Sequence, residues 1–541
     1  MNCTKPYQVD SAIEFNRTQA FRNFAIQVSQ RSKSRGCPTH SDNDGSITPT
    51  THWTRRRHSL HTVEWLELPV EAVLARHAVV LKCDVVSEPG EPYMKGLSPY
   101  SVFINGLSLV EILPDNEAAE DQSMIIPAGV SPDSDELFMT HLMKSLFTTP
   151  QTDNNCNIVA ISPWVLASLQ PDHQKRSAVL AVRAAAAAYY GKLYRHHCAL
   201  TRGATLYTIV LGHVQRDIND PVHVVDTITL ANTVFLALYE MITFTDTTAW
   251  LTHFLGIGQL IKFRGPHRHQ TRVEKELFLT VRYFVVLAHL IQNKRCFLED
   301  RAWKLVPWAS DPSSKMTIDY ILDIFCDVPG ILDDVRWSQT NSHSTQDGQR
   351  GRAKLCIRIN ALFKRLLQWR TNWEARFSDS CFSVALSALR DLKAVHLDTY
   401  PFVDAVFFTK TIHVAEMCLY NSVLVILHRA WNAVSSSTNV PPSFDTAASD
   451  LNSAILPPPG KGSLKEITRE ICRMVYYQLL FCPGHIGAIQ LILPVQVAYQ
   501  NVVPDSEEAH WLSKIISHIA HSHGFEAVRY FQSSVEPIVF M

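Results

Sequence analysis

Twelve cysteines and several groups of histidines are the first places to look for chemistry in this chain of 541 residues. The cysteines stand at positions 3, 37, 83, 156, 198, 296, 326, 356, 381, 418, 472 and 482, and no two lie within four residues of each other. A structural zinc site usually begins with a close ligand pair, because four side chains must converge on one ion. That spacing is missing, so the cysteines read as small buried apolar side chains in a reducing compartment. His518 and His521 are three apart on an expected helix and share a face, with His523 just beyond. Two imidazoles so placed could ligate a metal. No acidic base stands beside them, however, and a polar helix face ending at Gly524 is the plainer reading. His196-His197-Cys198 carries metal-type atoms, but adjacent helical residues point in different directions. His267-Arg268-His269, with Arg264 and Arg272, could hold an anion and reads more simply as a solvated turn between helices. No metal and no cofactor is expected.

Catalytic fingerprints are missing as well. Gly460-Lys461-Gly462-Ser463 lacks the upstream glycine of a phosphate loop. Neither a Gly-x-Ser-x-Gly elbow nor a strand-linked Gly-x-Gly-x-x-Gly is present. The chain reads as a non-enzyme. Trp250, Trp303, Trp308, Trp369 and Trp373 read as core or groove residues, and a cavity lined by them would suit a small apolar effector.

The elements that must position these residues are helices. Apolar residues make up 46%, enough for a large core, and the formal net charge is -1. The whole chain therefore offers no electrostatic case for nucleic acid or membrane binding. No run of about 18 apolar residues is free of polar interruption, so no membrane span is expected. Residues 1–62 read as a disordered basic arm, with Arg31, Lys33 and Arg35 and then Arg55, Arg56 and Arg57, a candidate nuclear-targeting or phosphate-contacting run. Residues 63–155 read as a loosely structured segment. It holds a helix at Glu71–His77, a strand candidate at Val79–Val86, breakers over Ser87–Ser98 and a polar loop over Pro114–Ser134.

From 156 to 541 the pattern is a helical domain. Lys175–Tyr194 carries five consecutive alanines and no proline. Further helices are expected over Asp226–Thr243, Thr248–Phe263, Arg272–Gln292, Leu355–Arg376, Ala415–Trp431, Leu464–Leu480, Gly487–Tyr499 and Glu507–Ser522, with polar loops at 338–352 and 434–462. Strands do not alternate with helices, which argues against a doubly wound fold. The expected class is all-α, a large multi-helix array of packed helix pairs.

Several fragments, taken in order, resemble one family. Leu238-Tyr239-Glu240, then Trp250-Leu251 with His253 and Gly256, then Arg264-Gly265-Pro266, are similar to the most recognisable block of the fungal-specific transcription factor domain. That domain is the regulatory part of fungal binuclear zinc-cluster transcription factors. Arg282, Trp303, the Trp369–Trp373 pair and Ile471-Cys472-Arg473 fall where the family has later motifs, so the likeness runs from about residue 160 to 535.

The resemblance implies an all-helical regulatory domain in a nuclear transcription regulator, with these residues in structural roles, serving a specialised pathway such as secondary metabolism. Co-regulators or other transcription factors would be its partners, as a homo- or heterodimer. The family's six-cysteine zinc cluster is not matched, because Cys3 and Cys37 are the only cysteines before residue 80. Sequence-specific DNA binding by this chain alone is therefore not expected. Two other readings stay open at this level. One is a helical domain recruited as a pathway enzyme or small-molecule binder, with a cytoplasmic location. The other is a shortened form of an ordinary zinc-cluster factor, since Cys3 followed by Tyr7 is similar to the end of such a cluster.

Overall fold

Alanine at 184–188 leaves almost no side chain on one helix, and the fold uses that helix as its first hub. The structure is a computed structural model. It describes residues 134–153, 156–169, 176–246, 248–340, 346–435, 456, 462–481 and 486–530. The basic arm with Arg55, Arg56 and Arg57, the helix at 71–77, the strand candidate at 79–86, the breakers at 87–98, most of the loop at 114–134 and most of that at 434–462 lie outside the described residues.

The described chain opens with α1 (Ser134–Leu142), a π-helical turn over Met143–Phe147, a hairpin of β1 (Thr148–Asp153) and β2 (Cys156–Ile161), and α2 (Pro163–Leu169). The Ala-rich α3 (Arg176–Leu193) follows, then α4 (His197–Asn219) and α5 (Thr227–Thr243). α3 packs on α1, α4 and α5. All five alanines are fully buried. The α3–α4 crossing is tight at Gly203, where an added Cβ would stand 3.0 Å from the Ala188 nitrogen and 3.1 Å from the Ala184 carbonyl oxygen. His196 serves here as the N-cap of α4, its Nδ1 accepting from the Ala199 amide at 3.1 Å.

α6 (Ala249–Arg264) and α7 (Arg272–Ile291) continue the array, followed by the short α8 (Arg301–Leu305), then α9 (Thr317–Phe325) and α10 (Val328–Thr340). The long α11 (Gln346–Phe377) leads to β3 (Cys381–Ala385), α12 (Leu386–Asp391) and β4 (Asp404–Phe408), with β3 and β4 pairing antiparallel from Cys381↔Phe408 to Ala385↔Asp404. The second hub is α13 (Thr411–Val434), which packs on α9, α10, α11, α14 (Leu464–Phe481) and α16 (Ile492–Tyr499). α15 (Ile486–Gln490) and α17 (Glu507–Ser522) complete the set, and the turn Glu526–Arg529 returns to α5, with Phe525 beside Tyr189.

The all-α expectation holds for the described residues, with two small two-stranded sheets added. Three expectations are corrected. The polar stretch 338–352 is helical wherever it is described: α10 runs to Thr340, and α11 begins at Gln346, nine residues before Leu355. Its early turns extend into solvent from a helix anchored by the buried Leu355 and Ile359. Gly487–Tyr499 is two short helices meeting at Leu491 rather than one. Residues 134–147, read as loose, carry Phe138, Leu142 and Leu146 into the core. In addition, α13 is long and apolar enough to cross a membrane by composition, yet 78% of its apolar window is buried inside the fold. That surface is already covered by neighbouring helices.

Candidate functional site

The motif residues are spread along the chain, and the structure turns each group into a joint between helices. Tyr239 on α5 stacks on Tyr207 of α4, with ring centroids 4.2 Å apart. The Tyr207 hydroxyl lies 3.0 Å from Nε2 of the buried His253 on α6, so three helices meet in one chain of polar and ring contacts. Burial pulls the His253 imidazole down to about 3, which keeps it neutral and hydrogen-bonding rather than charged. Glu240 accepts from the Thr245 hydroxyl just past the left-handed Phe244 that ends α5. Leu238, Leu251 and Gly256 are buried between these helices, and Trp250 is fully buried against Phe254 and Tyr530.

Arg264-Gly265-Pro266 forms the next joint. Gly265 takes φ +76°, which a residue with a Cβ adopts at a cost, and this lets the chain turn sharply into a short helical turn opened by Pro266. The turn sends the Arg264 guanidinium back to the Val225 carbonyl and the Glu274 carboxylate, which Thr227 also contacts. His267 and Arg268 are exposed as a solvated turn requires, but His269 is fully buried against Phe278 and Trp303. Burial, with help from the Arg264 charge, holds His269 at about 4, so it is neutral and adds no positive charge for an anion.

Arg282 on α7 is fully buried and pairs with Asp323 on α9, and the other oxygen of Asp323 accepts from Lys315 Nζ at 2.6 Å. Both cations face the Trp308 ring, Arg282 at 5.3 Å and Lys315 at 4.4 Å from its centroid. Trp303 closes the same layer over Phe278 and Phe297. Further along, Trp369 donates its indole N–H to the Thr317 carbonyl at 3.0 Å and stacks on Tyr420. Trp373 donates to the buried Glu416 at 2.8 Å, and His413 reaches the same oxygen at 3.0 Å. Arg473 clamps Asp404 of β4 through two nitrogens at 3.0 and 2.6 Å and also holds Glu470. Cys472 beside it is buried, which pushes its thiol up and makes it a poor nucleophile.

The histidines of the last helix do not converge. His518 Nδ1 contacts the Ser522 hydroxyl at 3.2 Å and sits beside the His396 and His523 rings, while His521 turns to Arg529. Among the described residues, no group of three or more His, Cys, Asp or Glu side chains is placed to hold a metal ion. The five tryptophans likewise serve separate joints: Trp250 against Tyr530, Trp303 and Trp308 around Phe278, Trp369 and Trp373 around α13. The carboxylates that complete the joints, Glu274, Asp323, Asp404 and Glu416, were not singled out from the sequence. The motif residues they hold, Arg264, Arg282, Arg473 and Trp373, lie between 10 and 69 positions away, and no spacing rule links them.

Residues 130–307 match the family model of the fungal specific transcription factor domain. That stretch covers α1 to α8 and with them the motif residues from Leu238 to Trp303; Trp369, Cys472 and Arg473 lie beyond it. Over 161 residues the chain is 30% identical to an uncharacterized protein of Emericella nidulans, covering 28% of this chain and 34% of that protein. The chain thus spans about a third of the length of the curated relative it matches. No solved structure matches the chain.

Proposed function

We propose, from the premise that residues 130–307 carry a fungal-specific transcription factor domain, that this chain is a fungal transcription regulator acting in the nucleus. The observation that carries the reading is that match. The motif side chains are used in joints between elements of the fold, which supports a structural role for them within such a domain. In this reading the chain works through protein partners, as a homo- or heterodimer or with a co-regulator, and governs a specialised set of genes such as a secondary-metabolism pathway. A small apolar effector belongs to the same reading. The test is a nuclear one: the full chain fused to a heterologous DNA-binding module is placed upstream of a reporter. Altered reporter output, with a fluorescent fusion concentrated in nuclei, supports the proposal. A purely cytoplasmic fusion and a silent reporter contradict it and favour a pathway enzyme or small-molecule binder.

A further inference from the structure

The formal net charge of -1 hides a strongly uneven surface. α11 buries one face, with Leu355, Ile359, Phe363, Leu366 and Trp373 in the core. Its opposite face carries Arg350, Lys354, Arg358, Lys364, Arg365 and Arg376, all exposed. At about 100° per residue these six cations fall within an arc of about 120°, and from first to last they span about 39 Å of helix axis. Between Gly348 and Phe377 the helix holds one carboxylate, Glu374, and it pairs with the buried Arg370. Arg358 and Arg365 touch carboxylates of neighbouring elements, Asp334 and Asp327. Each of those carboxylates also serves a second cation, Arg295 and Lys304 respectively. Arg350, Lys354, Lys364 and Arg376 have no ion pair among the described residues.

We infer that this face of α11 binds the phosphate backbone of duplex DNA without reading its sequence. Beyond the Asp334 and Asp327 contacts, the polar side chains of the stripe are cations and neutral groups, with Gln368, Thr371 and Asn372 the exposed polar residues between Arg365 and Arg376. That is the set of side chains that donates to phosphate oxygens. A straight line of positive charge about 39 Å long complements a duplex, which carries a negative charge about every 1.7 Å of axis. An acidic protein segment is the other polyanion to consider. Its anchors would need apolar pockets along the stripe, and the exposed apolar side chain there is the single Ile357. The inference rests on the charge pattern and needs no regulatory reading.

The test is fluorescence anisotropy of a labelled 30-base-pair duplex with the full-length protein across a salt series. Four unpaired cations predict a slope of log affinity against log salt near -3.6, which is about two decades of affinity lost between 50 and 200 mM salt. A shuffled duplex binds equally well. The variant Lys354→Glu/Lys364→Glu/Arg376→Glu loses most of the binding. The gentler Lys354→Gln/Lys364→Gln/Arg376→Gln flattens the slope by about 2.7, with the circular dichroism spectrum unchanged in both. Arg55→Ala/Arg56→Ala/Arg57→Ala, in the basic arm, leaves the slope intact. Three results overturn the inference: no binding by the wild type, an unchanged slope in the α11 variants with loss in the arm variant, or binding only to a poly-glutamate peptide. Reporter output plays no part in this assay, so failure here and failure of the regulatory reading are separate results.

Discussion

The Arg282–Asp323–Lys315 group allows a sharp prediction, because one carboxylate serves two buried cations. Arg282 has no exposed side-chain surface, Asp323 has 11% and Lys315 has 8%. Asp323→Asn leaves a guanidinium and an ammonium facing a neutral amide in a poorly solvated pocket, with the Asp319 carboxylate as their remaining acidic neighbour. Removing one member of a buried pair costs about 3–5 kcal/mol, and with two stranded cations the upper half of that range applies. Arg282→Met leaves Asp323 bonded to Lys315, so its cost is the lost packing and cation–π contact, about 2–3 kcal/mol. Adding Arg282→Met to Asp323→Asn removes one of the stranded charges. The double variant should therefore be more stable than Asp323→Asn alone by about 1–2 kcal/mol, although it departs further from the natural chain. Urea unfolding followed by tryptophan fluorescence compares the three midpoints. If Arg282→Met lowers the midpoint further in the Asp323→Asn background, the shared-carboxylate account is wrong.

Acid should weaken the fold through its buried neutral histidines. Burial holds His253 at about 3 and His269 and His428 at about 4, against 6.5 in the open chain. The unfolded state therefore binds more protons in the window between. The stability they contribute is complete above about pH 6.5 and falls away as pH drops toward 4, by up to about 2 kcal/mol per histidine at pH 5. His269→Phe should flatten the fall in urea midpoint between pH 7.5 and 5; an identical fall would remove His269 from the explanation. Gly203→Val should lower the melting temperature, since its Cβ meets backbone of α3 and overpacking costs about 1–3 kcal/mol; an unchanged melt would mean the α3–α4 crossing is looser than drawn.

Helices with a strong apolar period and a cap were legible from sequence. Glu507–Ser522 is found with the bounds expected, opened by Ser506, whose hydroxyl accepts from the Ala509 amide. Arg272–Ile291 differs by one residue at its end. The stretch around Thr340 and Gln346 was not legible, because its polar residues carry no period while its helices are sustained by buried neighbours on either side, Val335 and Leu355. The β3–β4 pair is too short to show alternation, and it is held from outside by Arg473 on Asp404. At the candidate site, the motif residues themselves were readable from resemblance. Their partners were not, since a pair such as Arg282 and Asp323, 41 positions apart, is chosen only by how α7 and α9 pack.

The regulatory reading is tested most directly by transcript profiling of a strain in which the gene is deleted, compared with the same strain carrying the restored gene. The account predicts a coordinated set of transcripts that shifts on deletion and returns on restoration. A profile in which no transcript changes under any growth condition tried would contradict it.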